Sequence, residues 1–99
     1  MDPTHWTSRE ALIISPQRRA GLIEEVADGQ TVVTNPRNDE RYRLNETAAE
    51  VWHSCDGSTS TRQIAQALNS TYDVDLDVAL DHVEQLITFF AERRLFRVA

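Results

Sequence analysis

Residues 42–57, Tyr-Arg-Leu-Asn-Glu-Thr-Ala-Ala-Glu-Val-Trp-His-Ser-Cys-Asp-Gly, mark the point where a strand gives way to a helix. Before Asn45, apolar and basic side chains alternate with the period of a half-buried strand. After it, apolar residues recur at helical spacing, and an asparagine side chain is suited to cap a first helical turn. We therefore expect a short strand to end at Asn45 and a helix to run from Glu46 to Cys55, stopping at Asp56-Gly57.

Upstream of this junction, turn signals separate segments that are rich in β-forming residues. The dipeptide Asp28-Gly29 predicts a hairpin between strands at residues 22–27 and 31–34. The turn-forming run at residues 35–39 precedes a third strand at residues 41–44. The expected result is a three-stranded antiparallel meander with at least one open edge.

Downstream of the junction, two more helices are expected. Ser60 and Gln63 form a capping-box pattern ahead of a short helix whose inward face includes Ala67, and Asp75 is placed to cap a longer helix. At roughly 100° per residue, seven apolar side chains of the long helix fall within an arc of about 120°. They are Leu76, Ala79, Leu80, Val83, Leu86, Ile87 and Phe90. The predicted fold is therefore α+β, with three strands before three helices.

The composition is that of a small globular domain. The chain has 99 residues, 40% of them hydrophobic, and no apolar run approaches the roughly 18 residues of a membrane span. No secretion signal opens the sequence, and Cys55 is alone, which excludes an internal disulfide. We expect a cytoplasmic protein with no membrane association, with a flexible arm at residues 1–20 and a domain at residues 21–99. The apolar patch at residues 11–14 of the arm fits an added strand, a mobile segment or a partner contact equally well.

The charge balance argues against nucleic acid as a partner. Sixteen acidic residues and ten arginines give a net charge of −6, which opposes attraction to phosphates. A winged-helix DNA-binding regulator is nevertheless the main alternative, because the second and third helices also fit a helix-turn-helix. Four acidic side chains near the start of the third helix would repel a duplex there, namely Asp73, Asp75, Asp77 and Asp81. A small dimerisation or adaptor domain is a further alternative.

The titratable residues are poorly placed for catalysis or for metal binding. His53 and Cys55 are two residues apart on a predicted helix, so their side chains diverge by about 200°. Counting from Asp73, the acidic run has Val78 at position six, where a calcium loop needs a glycine, although Glu84 stands at position twelve, where such a loop has its glutamate. We expect no catalytic residue, no metal and no cofactor, and we interpret Cys55 as a small buried hydrophobe.

Two neighbouring surfaces are candidates for holding a peptide. An edge strand has unpaired backbone groups, with which an extended peptide can form main-chain hydrogen bonds. On the third strand, Arg41 and Arg43 would project to one face, where they suit acidic ligand residues, and Tyr42 and Leu44 to the other. A strip of the third helix suits the second wall of a groove, with Leu86 at the boundary to the core: Val78, His82, Gln85, Phe89 and Arg93.

The residues alone leave a simpler interpretation open for both surfaces. Charged side chains on an edge strand also protect it from unwanted pairing. Phe89 also fits a role in covering the sheet edge, and His82 fits a solvated position.

From about residue 23 to residue 96, the sequence resembles the PqqD-like family of peptide-recognition elements. The matching segments are residues 43–49, 51–52, 56–57, 64–68, 72–75 and 95–96, together with Val83. Each segment is weak alone, whereas their order and spacing together are more specific.

The resemblance implies a winged-helix-turn-helix-like fold that binds the leader segment of a ribosomally synthesised precursor peptide. Such a protein presents the leader to a separate modifying enzyme, here a radical-SAM enzyme or a leader peptidase. In that family the leader adds as a strand to the third strand, against the third helix. The peptide-binding residues implied are Arg41, Tyr42, Arg43, Leu44, Val78, His82, Gln85, Leu86, Phe89 and Arg93.

The sequence departs from the family pattern at two positions. Arg93-Arg94 stands where the family usually has a glycine, so Arg94 is expected to adopt a left-handed backbone. Leu76 stands where a proline often follows the aspartate. The open edge also allows a homodimer through the same groove.

Overall fold

The computed structural model describes residues 15–97, which form three strands followed by three helices. The predicted α+β order is thus confirmed, while residues 11–14 and most of the predicted arm lie outside the described residues. The elements are β1 (Ile23–Ala27), β2 (Gln30–Asn35), β3 (Glu40–Leu44), α1 (Glu46–His53), α2 (Thr61–Tyr72) and α3 (Leu76–Glu92).

The three strands form an antiparallel meander in the order β1-β2-β3. The β1–β2 turn consists of Asp28 and Gly29, both with positive φ, at 54° and 77°. This is the two-residue turn whose twist matches that of a hairpin. One face of the sheet packs on the helices through Val33 and Leu44, which are 0% and 3% exposed.

Helix α1 starts where the sequence predicts and ends earlier. The Asn45 side-chain oxygen accepts a hydrogen bond from the Ala48 N–H at 2.8 Å, as expected of a cap. The helix ends at His53, two residues before the predicted end at Cys55. The Cys55 carbonyl instead accepts a hydrogen bond from the Arg18 N–H at 3.0 Å, because the N-terminal segment packs there.

Asn45→Ala is expected to lower the free energy of unfolding by about 1 kcal/mol, because the Ala48 N–H loses its partner. Urea denaturation followed by circular dichroism measures this change. Asn45→Asp keeps an acceptor at the same position and should retain most of the stability. An aspartate variant as unstable as the alanine variant would contradict the capping role.

The two later helices confirm one predicted cap and correct another. Ser60 and Gln63 form both bonds of the capping box, at 3.1 Å and 2.8 Å. Asp75 occupies the N-cap position of α3, but its side chain makes no capping hydrogen bond, so that prediction is wrong. The start of α3 is instead fixed by the backbone, since the Asp75 carbonyl accepts from the Ala79 N–H at 2.9 Å.

Ala67 is exposed rather than inward, which corrects the expected face of α2. The buried arc of the helix runs through Thr61, Ile64, Ala65 and Leu68. Ala67 lies roughly 110° from the centre of that arc.

The core is centred on Trp52 of α1, which is 0% exposed. Its ring lies 5.0 Å from that of Phe90 on α3 and 6.2 Å from that of Phe96, measured between centroids. The aromatic cluster therefore joins the first helix to the last and to the segment that follows it. None of the helices within residues 15–97 is long and apolar enough to cross a membrane.

The segment before β1 is hydrogen-bonded to the rest of the domain from Pro16 onwards. The Pro16 carbonyl accepts from the Gly57 N–H at 2.9 Å, and the Arg19 N–H donates to the Leu95 carbonyl at 2.9 Å. Residues 16–20, which belong to the predicted arm, therefore lie between the α1–α2 loop and the segment after α3. The domain boundary at residue 20 remains a prediction.

Candidate functional site

The outer edge of β3 is open in the part of the chain that the structure describes. Within residues 15–97, β3 pairs with β2 alone, in a register that sets Val33 opposite Tyr42. The open edge expected from the sequence is therefore present on the strand that precedes α1. Within residues 15–97 the outer edge of β1 also has no further strand beside it. The two edges therefore differ as binding sites through the side chains that lie next to them.

Arg41 and Arg43 have backbone groups that point out of the sheet. A two-residue turn such as that at residues 28–29 closes on a hydrogen-bonded pair, and bonded and non-bonded pairs then alternate along the ladder. Carried across β2, this alternation makes Val33 and Tyr42 a hydrogen-bonded pair. The N–H and C=O groups of Arg41 and Arg43 are thus directed toward the open edge, where an added strand can pair with them.

The side chains of these two arginines lie on the sheet face away from the helices. Arg41 is 3.9 Å from Glu25, and Arg43 is 3.6 Å from Asp28 and donates to Gln30 at 3.1 Å. Both ion pairs are exposed, and exposed pairs contribute little to stability. A ligand carboxylate can therefore exchange for either partner at small cost.

On the opposite face, Tyr42 of β3 meets Phe89 of α3. The two rings are 6.2 Å apart and nearly perpendicular, and the Arg93 guanidinium lies 3.7 Å from the Phe89 ring centroid. The structure thus brings together Tyr42, Phe89 and Arg93, with an attractive cation–π contact between the last two. Leu44 differs, because its side chain is buried in the core and is not open to a ligand.

The rest of the α3 strip extends from this cluster toward the start of the helix. Val78, His82 and Gln85 are exposed, and Leu86 is half-buried against the core, at the boundary where the sequence placed it. Gln85 donates a hydrogen bond to Asp81 at 2.9 Å. We call the surface between the open edge of β3 and this strip the β3–α3 groove.

Glu40 belongs to the same surface and was missed by the sequence interpretation. The Tyr42 hydroxyl donates a hydrogen bond to the Glu40 carboxylate. That bond raises the pKa of Tyr42, and burial and the charge of Glu40 act in the same direction. The period of two along β3 places Glu40 on the face of Tyr42, which is the signal that identifies it.

The remaining reactive side chains lie away from this groove. Cys55 is 0% exposed, and burial raises its pKa to about 12, so the thiol is protonated at neutral pH. The His53 Nε2 atom lies 3.5 Å from a Glu24 oxygen at the surface. Within residues 15–97, no group of three or more His, Cys, Asp or Glu side chains is arranged to hold a metal ion.

Comparison with known proteins places this architecture in a family. The sequence model described as coenzyme PQQ synthesis protein D (PqqD) matches residues 30–95. The chain belongs to the PqqD family. The matched range of this PqqD-family protein covers β2, β3 and all three helices, and therefore both walls of the β3–α3 groove.

Three solved structures resemble this PqqD-family fold over most of its length. Lasso peptide synthetase B1, solved in complex with its leader peptide, is 25% identical and has a TM-score of 0.75, with 86% of this chain and 99% of that chain covered. TbiB1, in complex with the TbiA(beta) leader peptide, is 13% identical, with a TM-score of 0.74 and coverages of 84% and 96%.

The third structure is the PqqD truncation of Methylobacterium extorquens PqqCD, solved by solution NMR. It is 23% identical, with a TM-score of 0.73 and coverages of 99% and 100%, and represents a functional, stand-alone RiPP recognition element. RiPP denotes a ribosomally synthesised and post-translationally modified peptide. A comparison with curated proteins gives no match.

Proposed function

We propose that this protein binds the leader segment of a ribosomally synthesised precursor peptide by strand addition and presents it to a separate modifying enzyme. It is an accessory protein that catalyses no reaction itself. The observation that carries the proposal is an open strand edge beside an aromatic and cationic wall, formed by β3 and by Phe89 and Arg93 of α3. The leader-bound structures of two similar proteins support it.

Backbone pairing supplies the first part of leader recognition. The outward N–H and C=O groups of Arg41 and Arg43 would pair with the leader and add a fourth strand to the sheet. The β1 edge offers similar backbone groups. At β3, however, the adjacent α3 wall adds side-chain contacts that a bare edge does not provide.

Side chains of an added strand alternate between the two faces and so meet two different surfaces. Those directed at α3 would contact the rings of Tyr42 and Phe89, which favour apolar residues, with Arg93 at one side. Those directed away would lie beside the guanidinium groups of Arg41 and Arg43, which favour carboxylates. We therefore expect a leader segment in which apolar and acidic residues alternate.

The partner we propose is either a radical-SAM enzyme or a leader peptidase. Holding the leader on a protein that also contacts the enzyme raises the effective concentration of the peptide at the active site. We propose that the protein presents the leader to the enzyme in the cytoplasm, where a free thiol such as that of Cys55 persists. The same open edge would also allow a homodimer in the absence of leader.

A DNA-binding regulator is not favoured. The start of α3 would have to approach phosphates, but Asp73, Asp77 and Asp81 are exposed there. A gel-shift assay separates the two functions, because DNA binding would weaken steeply as salt is raised.

The double variant Phe89→Ala with Arg43→Glu is expected to weaken leader binding by about 30-fold or more, since buried aromatic and arginine contacts dominate peptide interfaces. Calorimetric titration with candidate leaders, taken from short open reading frames beside the gene, measures the affinity. Val26→Ala with Arg62→Glu is the control, because it makes the same charge change and truncates another apolar side chain to alanine away from the groove, and it should bind normally. Unchanged affinity in the groove variant would reject the proposed site.

A further inference from the structure

A cleft of about 690 Å³, separate from the β3–α3 groove, lies where the segment before β1 meets the segment after α3. Gln17, Ala20 and Phe96 contribute to its lining, and the remaining lining residues are all arginines. They are Arg18, Arg19, Arg94 and Arg97. We call it the arginine cleft. It shares no residue with the β3–α3 groove described above.

Within residues 15–97, three of the four arginines of the cleft have no acidic side chain beside them. Arg18 lies 3.8 Å from Glu24, but within residues 15–97 no acidic side chain pairs with Arg19, Arg94 or Arg97. Gathering like charges is unfavourable unless an anion is recruited, and this chain has six more acidic than basic residues. The cleft therefore gathers cations that no described acidic side chain pairs with, on a protein whose net charge is negative.

Two of the four arginines are held by hydrogen bonds of their guanidinium groups. The Arg19 guanidinium donates to the Arg94 carbonyl at 3.2 Å, and the Arg97 guanidinium donates to the Gln17 side chain at 3.4 Å. Arg94 has a φ of 59°, the left-handed conformation expected for it and one that glycine adopts at lower cost. A strained arginine at this position is consistent with a functional use of its side chain.

We propose that the arginine cleft binds a short acidic polypeptide segment of a partner protein, the modifying enzyme in the first instance. Guanidinium groups suit this role because each presents a planar fork that binds a carboxylate with two hydrogen bonds. Phe96 adds a half-buried apolar surface between the charges. The net charge of −6 disfavours a long polyanion such as nucleic acid, whereas a short acidic segment can contact the cleft alone. An enzyme bound at the arginine cleft would leave the β3–α3 groove free for the leader.

An octaglutamate peptide carrying a fluorophore is a suitable probe, with octaglutamine as its neutral counterpart. Fluorescence anisotropy should show binding of octaglutamate that weakens as salt is raised, and no binding of octaglutamine. Arg19→Gln with Arg97→Gln should weaken binding about tenfold, because two charge-assisted contacts are lost. Arg37→Gln with Arg62→Gln makes the same change in net charge elsewhere and should alter the affinity by less than about twofold.

Two further measurements make the result decisive. Backbone amide shifts on adding octaglutamate should be largest at Arg19, Arg94 and Arg97. Arg94→Gly removes a guanidinium group and places glycine at a left-handed position, so this variant should fold at least as well as the parent protein. It should nevertheless bind the probe more weakly. This variant therefore tests the cleft even if Arg19→Gln with Arg97→Gln fails to fold.

Three outcomes would overturn the proposal. Equal losses in the two double variants would show that only net charge matters. Backbone amide shifts confined to β3 and α3 would show that the probe binds in the β3–α3 groove. Binding of a thymidine oligonucleotide as tightly as octaglutamate would identify a phosphate site instead. Because the two surfaces share no residue, failure here leaves leader binding at the groove untouched, and the converse also holds.

Discussion

Arg43→Pro is expected to weaken leader binding strongly while leaving the sheet folded. The Arg43 N–H points to the open edge, so proline there removes no hydrogen bond to β2. It does remove a donor that an added strand needs, and its ring obstructs the neighbouring peptide. Losing two or so strand-pairing bonds costs roughly 2 kcal/mol, which corresponds to a decrease in affinity of about 30-fold or more. Calorimetry with a cognate leader measures this.

Two control variants separate the backbone of Arg43 from its side chain. Arg43→Gln keeps the N–H and loses only the guanidinium, so a modest loss of affinity is expected. Val26→Pro puts a proline at the corresponding outward position of β1, the other sheet edge, and should bind the leader normally. Equal effects of Arg43→Pro and Arg43→Gln would mean that side-chain contacts, rather than strand addition, hold the leader.

Trp52→Ala should destabilise the protein by about 3–5 kcal/mol, the usual cost of truncating a large buried aromatic side chain. Trp52 is fully buried and contacts the rings of Phe90 and Phe96, so its removal separates α1 from α3 and from the segment after α3. A domain of this size has a total stability on the order of 5–15 kcal/mol, so this loss would remove a large share of it. Urea denaturation followed by circular dichroism measures the loss.

Trp52→Phe and Val78→Ala provide the comparison. Phenylalanine keeps part of the ring contacts and removes an indole N–H that has no hydrogen-bond partner within the described structure, so a smaller loss is expected. Val78 is 57% exposed, and its truncation should change stability by less than about 0.5 kcal/mol. A loss below about 1 kcal/mol for Trp52→Ala would mean that the core does not depend on this ring.

Features encoded over a few neighbouring residues could be predicted from the sequence. The cap at Asn45, the capping box at Ser60 and the Asp28-Gly29 turn each depend on local side-chain or backbone chemistry, and all three are present. The buried arc of α3 follows from helical periodicity, and its members are buried or half-buried. The left-handed backbone of Arg94 was expected from the resemblance, since the family usually has a glycine at this turn.

Features that depend on distant parts of the chain could not be predicted in the same way. Helix α1 ends at His53, and the Cys55 carbonyl beyond it accepts a bond from Arg18 across the fold, which no local pattern indicates. Each wall of the β3–α3 groove could be recognised separately in the sequence, but the contact of Tyr42 with Phe89 depends on how α3 packs on the sheet. The arginine cleft joins Arg19 to Arg94, which are 75 residues apart in sequence. The peptide-binding roles of the groove residues remain predictions.

The two ends of the described chain lie side by side, since the Arg97 N–H donates to the Gln17 carbonyl at 2.8 Å. Chain ends that lie close together allow a domain to be inserted into a loop of another protein, or circularly permuted, without distorting its interior. This domain could therefore be inserted into a surface loop of a host enzyme, with the two junctions close together in space. A domain inserted in this way would keep its β3 edge exposed and carry the β3–α3 groove with it.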